Sequence, residues 1–193
     1  MKLLKISYLL FFCLALEAVI VDTGHANVSL VKFESLEGDR SKTLLGIKMD
    51  MQENWHTYWK NPGDSGGPIK VKWSHDNNIS ISKIYWPTPT LIPYEPLMTY
   101  GYKNFVIFPF EITNSNNKNS YIEANIDFLI CDDICVPEKA LIKTNLDEIK
   151  SDPSLNDWFL KVPDQILPVK ASVDSDYIIC LLYTSPSPRD LRK

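Results

Sequence analysis

The strongest pattern in the chain is a regular alternation of apolar and polar residues over residues 121–130. One parity is apolar throughout and consists of Ile122, Ala124, Ile126, Phe128 and Ile130. The polar side chains of the other parity are those of Tyr121, Glu123, Asn125 and Asp127. Because successive side chains of a strand point to opposite faces of a sheet, this period of two predicts a β-strand with one buried face. The chain is therefore expected to pack a core against a β-sheet.

Several other segments have the residue types of strands, and turn signals separate them. They are residues 28–35, 43–51, 55–59, 69–74, 79–86, 105–113 and 139–146. Residues 61–68 are rich in glycine and proline and are predicted to form a loop. The four prolines of residues 87–96 exclude a helix and a central strand, so they predict a surface loop or a segment capping a sheet edge. This succession of short strands predicts an all-β fold, a β-sandwich.

Two further prolines carry positional information. Pro109 lies inside a predicted strand and indicates an edge position or a bulge. Pro153 follows Ser151 and Asp152, a sequence typical of a helix start with proline at the first helical position. We therefore predict a short peripheral helix on the C-terminal side of the sandwich.

The first 26 residues have the features of a secretory signal peptide. Lys2 and Lys5 precede an apolar stretch at residues 8–16, and small residues lead up to a predicted cleavage after Ala26. The alternative is a membrane anchor, but Glu17 and Asp22 interrupt the run before it reaches about 18 apolar residues. The formal net charge of -4 gives no reason to expect nucleic acid as a partner. The mature chain is expected to be exported.

Two of the four cysteines, Cys131 and Cys135, are separated by three residues. Cys13 lies in the predicted signal peptide, and Cys180 lies near the end of the chain and is assigned no role. In an oxidising compartment, a close pair of this kind is expected to form a disulfide. If the predicted strand continues, Cys131 falls on its outward parity, so its sulfur is expected to be within reach of a partner.

A disulfide in so small a ring would stabilise the fold by only about 2 kcal/mol on the chain-entropy estimate. An exported chain of this size can build a core without it. We therefore interpret the bond as one that exchanges with other proteins. Negative charge from Asp132, Asp133 and Glu138 raises the pKa of a nearby thiol, which favours a relay of reducing equivalents over an attacking oxidant.

Two other hypotheses use the same two sulfurs. The disulfide could be a structural clip in a non-catalytic exported binding module. Alternatively, the thiols could hold Cu(I) in a copper-handling domain. The copper hypothesis lacks a third ligand, because His25 is predicted to be removed and His56 and His75 lie far away in sequence.

Four ordered motifs connect the chain to a known family. They are NWHTYWKNPGDSG at residues 54–66, YWPTP at 85–89, YGY at 100–102 and CDDICVPE at 131–138. With these motifs, residues 28–165 resemble the N-terminal periplasmic domain of DsbD/ScsB-type thiol:disulfide interchange proteins, the disulfide bond corrector domain family. DsbD itself has a longer separation between its cysteines, so the chain is more similar to the ScsB branch.

The resemblance implies an immunoglobulin-like β-sandwich in the periplasm that acts as a protein-disulfide reductase domain without a cofactor or metal. It assigns Cys131 and Cys135 as the redox-active, catalytic pair. A membrane-embedded electron-transfer domain or protein would supply electrons. The acceptors would be periplasmic thioredoxin-like or disulfide isomerase proteins and cytochrome c maturation factors.

The residues of the two ends and the resemblance of the middle together predict a domain organisation. We expect a signal peptide at residues 1–26, the immunoglobulin-like interchange domain at residues 27–168, and an unstructured tail at residues 169–193 that need not belong to the natural protein. Family members continue into a transmembrane region and a thioredoxin-like domain, so the chain is expected to be a truncated product or a stand-alone domain. A loop that shields the cysteines is expected from residues 100–102 or 61–68.

Overall fold

The computed structural model describes residues 19–33, 42–115, 119–159, 161–163, 170–174 and 177–181. These residues form strands almost throughout. The strands are β1 (Ile20–Asp22), β2 (Ala26–Lys32), β3 (Lys42–Met51), β4 (His56–Gly63), β5 (Lys70–His75), β6 (Ile79–Ile81), β7 (Thr90–Tyr94), β8 (Leu97–Lys103), β9 (Phe105–Asn114), β10 (Tyr121–Cys131), β11 (Cys135–Asn145), β12 (Lys170–Asp174) and β13 (Tyr177–Leu181).

Two antiparallel sheets make up the body of the protein. The first has five strands in the order β1-β2-β3-β9-β6. The second has six strands, in the order β11-β10-β4-β8-β7 with β5 paired to β10. Along one edge of β10, β5 pairs with residues 122–127 and β4 pairs with Cys131. This arrangement places β4 beside the cysteine end of β10.

The hydrophobic core lies between the two sheets. The apolar parity of β10 is buried in it, with Ile122, Ala124, Ile126 and Ile130 completely inaccessible to solvent. Strands β3 and β9 of the other sheet contribute the buried side chains of Leu45, Ile47, Met49, Val106, Phe108, Phe110 and Ile112. The predicted strand and the predicted all-β sandwich are confirmed.

The structure differs from the sequence prediction at two loops. Strand β4 extends to Gly63, into the predicted loop at residues 61–68, after an irregularity in its pairing with β8. Residues 90–94 of the proline-rich segment form β7, which pairs with β8 at the end of its sheet. Pro93 fits this edge position, since a strand with one neighbour can lack a backbone N–H donor.

Pro109 lies in β9, between two other strands, yet the pairing explains why it is tolerated. On one side Pro109 is opposite Gly46 of β3. On the other side β6 is short and pairs with residues 112–114 only. The Pro109 carbonyl instead accepts a hydrogen bond from the Tyr85 N–H at 2.8 Å. The position is therefore locally an edge, as predicted.

The predicted short helix is also confirmed. A 3-10 turn at Pro153–Leu155 leads into α1 (Asn156–Phe159), and the Asp152 side chain accepts a hydrogen bond from the Ser154 N–H at 3.0 Å. The Trp158 indole N–H donates to the Ile107 carbonyl at 3.0 Å and attaches the helix to β9. No helix in the described part of the chain is long and apolar enough to cross a membrane.

The signal peptide and the unstructured tail, at the two ends of the chain, stay predictions. Residues 1–18 of the predicted signal peptide, with Cys13, lie outside the described residues, whereas β1 lies within its range and pairs with β2. In the range predicted as an unstructured tail, β12 and β13 pair with each other as a hairpin, with Cys180 opposite Ala171. The other residues of that tail lie outside the described ones.

Candidate functional site

The two cysteines are joined at the tip of the hairpin formed by β10 and β11. Cys131 ends β10, Cys135 begins β11, and the two residues are direct cross-strand partners. Their sulfurs form a disulfide with an S–S distance of 2.08 Å and a Cα–Cα distance of 4.1 Å. The Asp132 N–H donates to the Ile134 carbonyl at 3.1 Å and closes the three-residue turn between them.

The two halves of the disulfide differ in exposure. Cys131 is 1% exposed, whereas Cys135 and the turn residues before it are exposed, with Ile134 at 68%. The expectation that Cys131 is the reachable sulfur is therefore wrong. Its parity directs the side chain away from the core cluster of Ile130, but other parts of the fold cover that face of the sheet here. Of the two cysteines, the residue open to a partner is Cys135.

Tyr58 of β4 is the main contact of the buried sulfur. Its hydroxyl donates a hydrogen bond to the Cys131 Sγ at 2.7 Å and lies 3.3 Å from the Cys135 Sγ. The side chain is 1% exposed, and burial raises its pKa, an effect that the nearby Ser65 hydroxyl reduces in part. The phenol is therefore protonated at neutral pH and can donate to sulfur.

Gly66 holds the Tyr58 ring from the loop that follows β4. Gly66 has a φ of +80°, and a Cβ atom at this position would lie 2.1 Å from the Tyr58 Cζ. The Ser65 and Thr99 hydroxyls, 2.7 Å apart, connect the same loop to β8. Loop and ring therefore pack so closely that a residue larger than glycine would have to displace the ring.

A cleft of about 110 Å³ lies over the disulfide. Besides both cysteines and Tyr58, it is lined by His56, Ser65, Ile92, Leu97, Thr99, Asp132 and Asp133. Of the two segments expected to shield the pair, the 61–68 loop contributes Ser65. Residues 100–102 do not line the cleft. The β7–β8 hairpin to which they belong does, through Ile92, Leu97 and Thr99.

His56 is a second side chain of β4 that the fold brings to the disulfide. Its backbone pairs with Cys131, and its ring makes an edge contact with the Tyr58 ring at a centroid distance of 5.3 Å. Burial lowers the pKa of His56, Lys103 lowers it further, and Asp132 opposes the shift. The imidazole is therefore neutral at pH 7.

The remaining sequence candidates lie apart from the disulfide or do not form a metal site. Glu138 is 7% exposed and binds the Thr23 hydroxyl and the His25 Nδ1, so its carboxylate faces the N-terminal segment. The His75 ring contacts the backbone carbonyl of Asp76. Within the described ranges, no group of three or more His, Cys, Asp or Glu side chains could hold a metal ion.

Comparison with known proteins identifies the family. Residues 27–146 match the family model described as "Thiol:disulfide interchange protein DsbD, N-terminal". The chain belongs to this DsbD N-terminal family. The expected family relationship is thereby confirmed, and the cysteine hairpin falls inside the matched range.

Solved structures support the fold assignment. The N-terminal periplasmic domain of ScsB from Proteus mirabilis superposes with a TM-score of 0.57 and 21% sequence identity, over 79% of this chain. The match spans 61% of the length of that ScsB chain. The GAE domain of GGA2p from Saccharomyces cerevisiae gives a TM-score of only 0.37 at 8% identity over 66% of this chain and 97% of its own, and supports no inference. No curated protein matches the chain.

Proposed function

We propose that this DsbD-type domain relays reducing equivalents in the periplasm by thiol–disulfide exchange at Cys131 and Cys135. The observation that carries the proposal is the asymmetry of the bond. An exposed Cys135 is bonded to a buried Cys131, whose sulfur accepts a hydrogen bond from Tyr58. A purely structural clip has no need of such a division between an accessible and a protected cysteine.

The exchange proceeds in two steps with Cys135 as the sulfur that changes partners. A donor thiolate attacks the Cys135 Sγ, a mixed disulfide forms, and the bonding electron pair of the broken bond goes to the Cys131 Sγ. The second thiolate of the donor then attacks the donor sulfur of the mixed disulfide and releases Cys135 as a thiolate. The donor leaves oxidised, and this domain holds two thiols after uptake of two protons.

The reduced domain passes its electrons to an acceptor through the same sulfur, that of Cys135. The Cys135 thiolate attacks a disulfide of the acceptor, and the Cys131 thiolate then attacks Cys135 and releases the reduced acceptor. The acidic Asp132 and Asp133, which line the cleft, favour this relay because negative charge disfavours a permanently ionised thiolate. We propose protein-disulfide reductase activity on this basis.

The partners in this proposal follow from the family. A membrane-embedded electron-transfer protein donates electrons to this domain. Periplasmic thioredoxin-like proteins, disulfide isomerases or cytochrome c maturation factors accept electrons from it. Export by a cleaved signal peptide would deliver the domain to that compartment. The exposed apolar residue Ile134 beside Cys135 suits contact with the surface of such a partner.

A redox titration tests the proposal against the structural-clip alternative. The full chain is equilibrated in buffers of defined dithiol potential, and the oxidised fraction is read by alkylation of free thiols. A midpoint above about -300 mV is expected for an exchanging disulfide, whereas a midpoint below it is typical of structural disulfides and would contradict the proposal. The Cys131→Ser, Cys135→Ser double variant gives the background of alkylation at the other cysteines.

A further inference from the structure

We infer that Tyr58 is a catalytic residue of the exchange, whose hydroxyl stabilises the thiolate released on Cys131 when the disulfide opens. The inference rests on the proposed function and deepens it. Its basis is the hydroxyl–sulfur contact of 2.7 Å in the oxidised protein.

Opening of the bond creates a charge on a residue that is almost completely shielded from bulk solvent. When a thiolate attacks the Cys135 Sγ, a new S–S bond forms, the Cys131–Cys135 bond breaks and its electron pair stays on the Cys131 Sγ. Cys131 is 1% exposed. A buried anion without a hydrogen-bond donor is strongly disfavoured, so the departing sulfur needs a donor from the protein.

Tyr58 provides this donor without any rearrangement. Its hydroxyl is 2.7 Å from the sulfur that becomes the anion and 3.3 Å from the sulfur under attack. Burial raises the pKa of Tyr58, so its proton remains on oxygen and the group acts as a hydrogen-bond donor rather than as a source of protons. A preorganised donor aimed at developing charge is the usual means by which a site favours a transition state.

The surroundings fix the hydroxyl in this position. The Gly66 backbone lies against the Tyr58 ring, where even a methyl group would approach the Cζ to 2.1 Å. The edge contact with the His56 ring further limits rotation of the phenol. The ring is therefore restrained at the carbon that carries the hydroxyl.

Tyr58→Phe tests this inference, because it removes the hydroxyl and keeps the ring. Tyr102→Phe is the matched control, since the buried Tyr102 hydroxyl donates to the Pro87 carbonyl at 2.8 Å and contacts no sulfur. The first measurement is the rate of disulfide reduction by dithiothreitol in each full-length variant. We expect Tyr58→Phe to be about 10- to 100-fold slower, the range that a hydrogen bond to a charged group supports, and Tyr102→Phe to match the unchanged protein.

The second measurement separates catalysis from packing. In a background with Cys13, Cys135 and Cys180 replaced by Ser, the pKa of the Cys131 thiol is followed by thiolate absorbance, with and without Tyr58→Phe. We expect the pKa to rise by about one unit or more when the hydroxyl is removed. An unchanged reduction rate, equal slowing in Tyr102→Phe, or slowing without a change in the thiol pKa would each overturn the inference. Dithiothreitol reports on the bond itself, so this result is independent of whether natural partners use the site.

Discussion

Removal of the N-terminal segment ahead of β2 should weaken the fold through the buried carboxylate of Glu138. This carboxylate accepts a hydrogen bond from the Thr23 hydroxyl and contacts His25, whose ring stacks on Trp55 at a centroid distance of 3.9 Å. The predicted cleavage after Ala26 would remove both Thr23 and His25. A chain that begins at Asn27 would then retain Glu138, 7% exposed in the intact fold, without these two partners.

The size of the effect follows from the contacts that are lost. The backbone pairing of β1 with β2 contributes little net free energy of folding, because the entropy lost in ordering the same residues opposes it. The two contacts to Glu138 are of the kind worth about 1.5–3 kcal/mol each when one partner is charged. Two such contacts sum to about 3–6 kcal/mol. Because the His25 side chain is 33% exposed, we expect the lower end of this range. A loss of about 3 kcal/mol, at a typical urea slope of about 2 kcal/mol/M, lowers the unfolding midpoint by about 1.5 M.

The assay is urea unfolding of two chains, one beginning at Val19 and the other at Asn27, each with and without Glu138→Leu. In the longer chain, Glu138→Leu removes satisfied hydrogen bonds and should lower the free energy of unfolding. In the shorter chain, it removes a carboxylate that has lost its partners and should stabilise. Equal midpoints for the two chains, or the same sign of the Glu138→Leu effect in both, would refute the reasoning.

Three further predictions concern the disulfide and its surroundings. Cys131→Ser should lower the unfolding free energy by no more than about 2 kcal/mol relative to the oxidised protein, because the ring is small, and should abolish electron transfer. A collapse of the fold in calorimetry would count against an exchanging bond. Gly66→Ala should displace Tyr58 and slow the reduction of the disulfide by dithiothreitol. Gly67→Ala should not slow it, because a Cβ at this position would meet only Leu129, at 3.7 Å. Equal reduction rates for the two variants would exclude this role of the loop. Burial lowers the pKa of His56 below its ordinary 6.5, so the unfolded chain binds a proton that the folded chain does not. The free energy of unfolding should therefore fall as the pH drops through 6.5. Urea unfolding at several pH values should show a smaller fall for His56→Gln than for the unchanged protein.

The sequence alone predicts the features of this fold that depend on local pattern. The alternation in residues 121–130 identifies β10 and its buried face, because side-chain direction along a strand depends only on position. Pro153 after Asp152 identifies the helix start for a similarly local reason. The sandwich follows because each of these elements has one apolar face to bury.

The site depends on contacts between distant parts of the chain, and the local pattern does not contain them. Parity places Cys131 on the outer face of β10 but does not reveal that Tyr58, 73 residues earlier, covers it there. His56 is far away in sequence for the same reason, yet its backbone pairs with Cys131. The available signal was the motif at residues 54–66, which contains His56, Tyr58, Ser65 and Gly66.

Capture of a mixed disulfide tests the central claim most directly. Cys131→Ser leaves the exposed Cys135 thiol without its resolving partner, so a partner protein that reacts with it should stay covalently bound. Both variants also carry Cys180→Ser, so that the adducts report on the cysteine pair. Expressed in the periplasm of a host that carries a membrane thiol transporter, Cys131→Ser should accumulate adducts that a reductant releases, and Cys135→Ser should accumulate far fewer because Cys131 is buried. Absence of adducts in Cys131→Ser, or a larger yield in Cys135→Ser, would contradict the account.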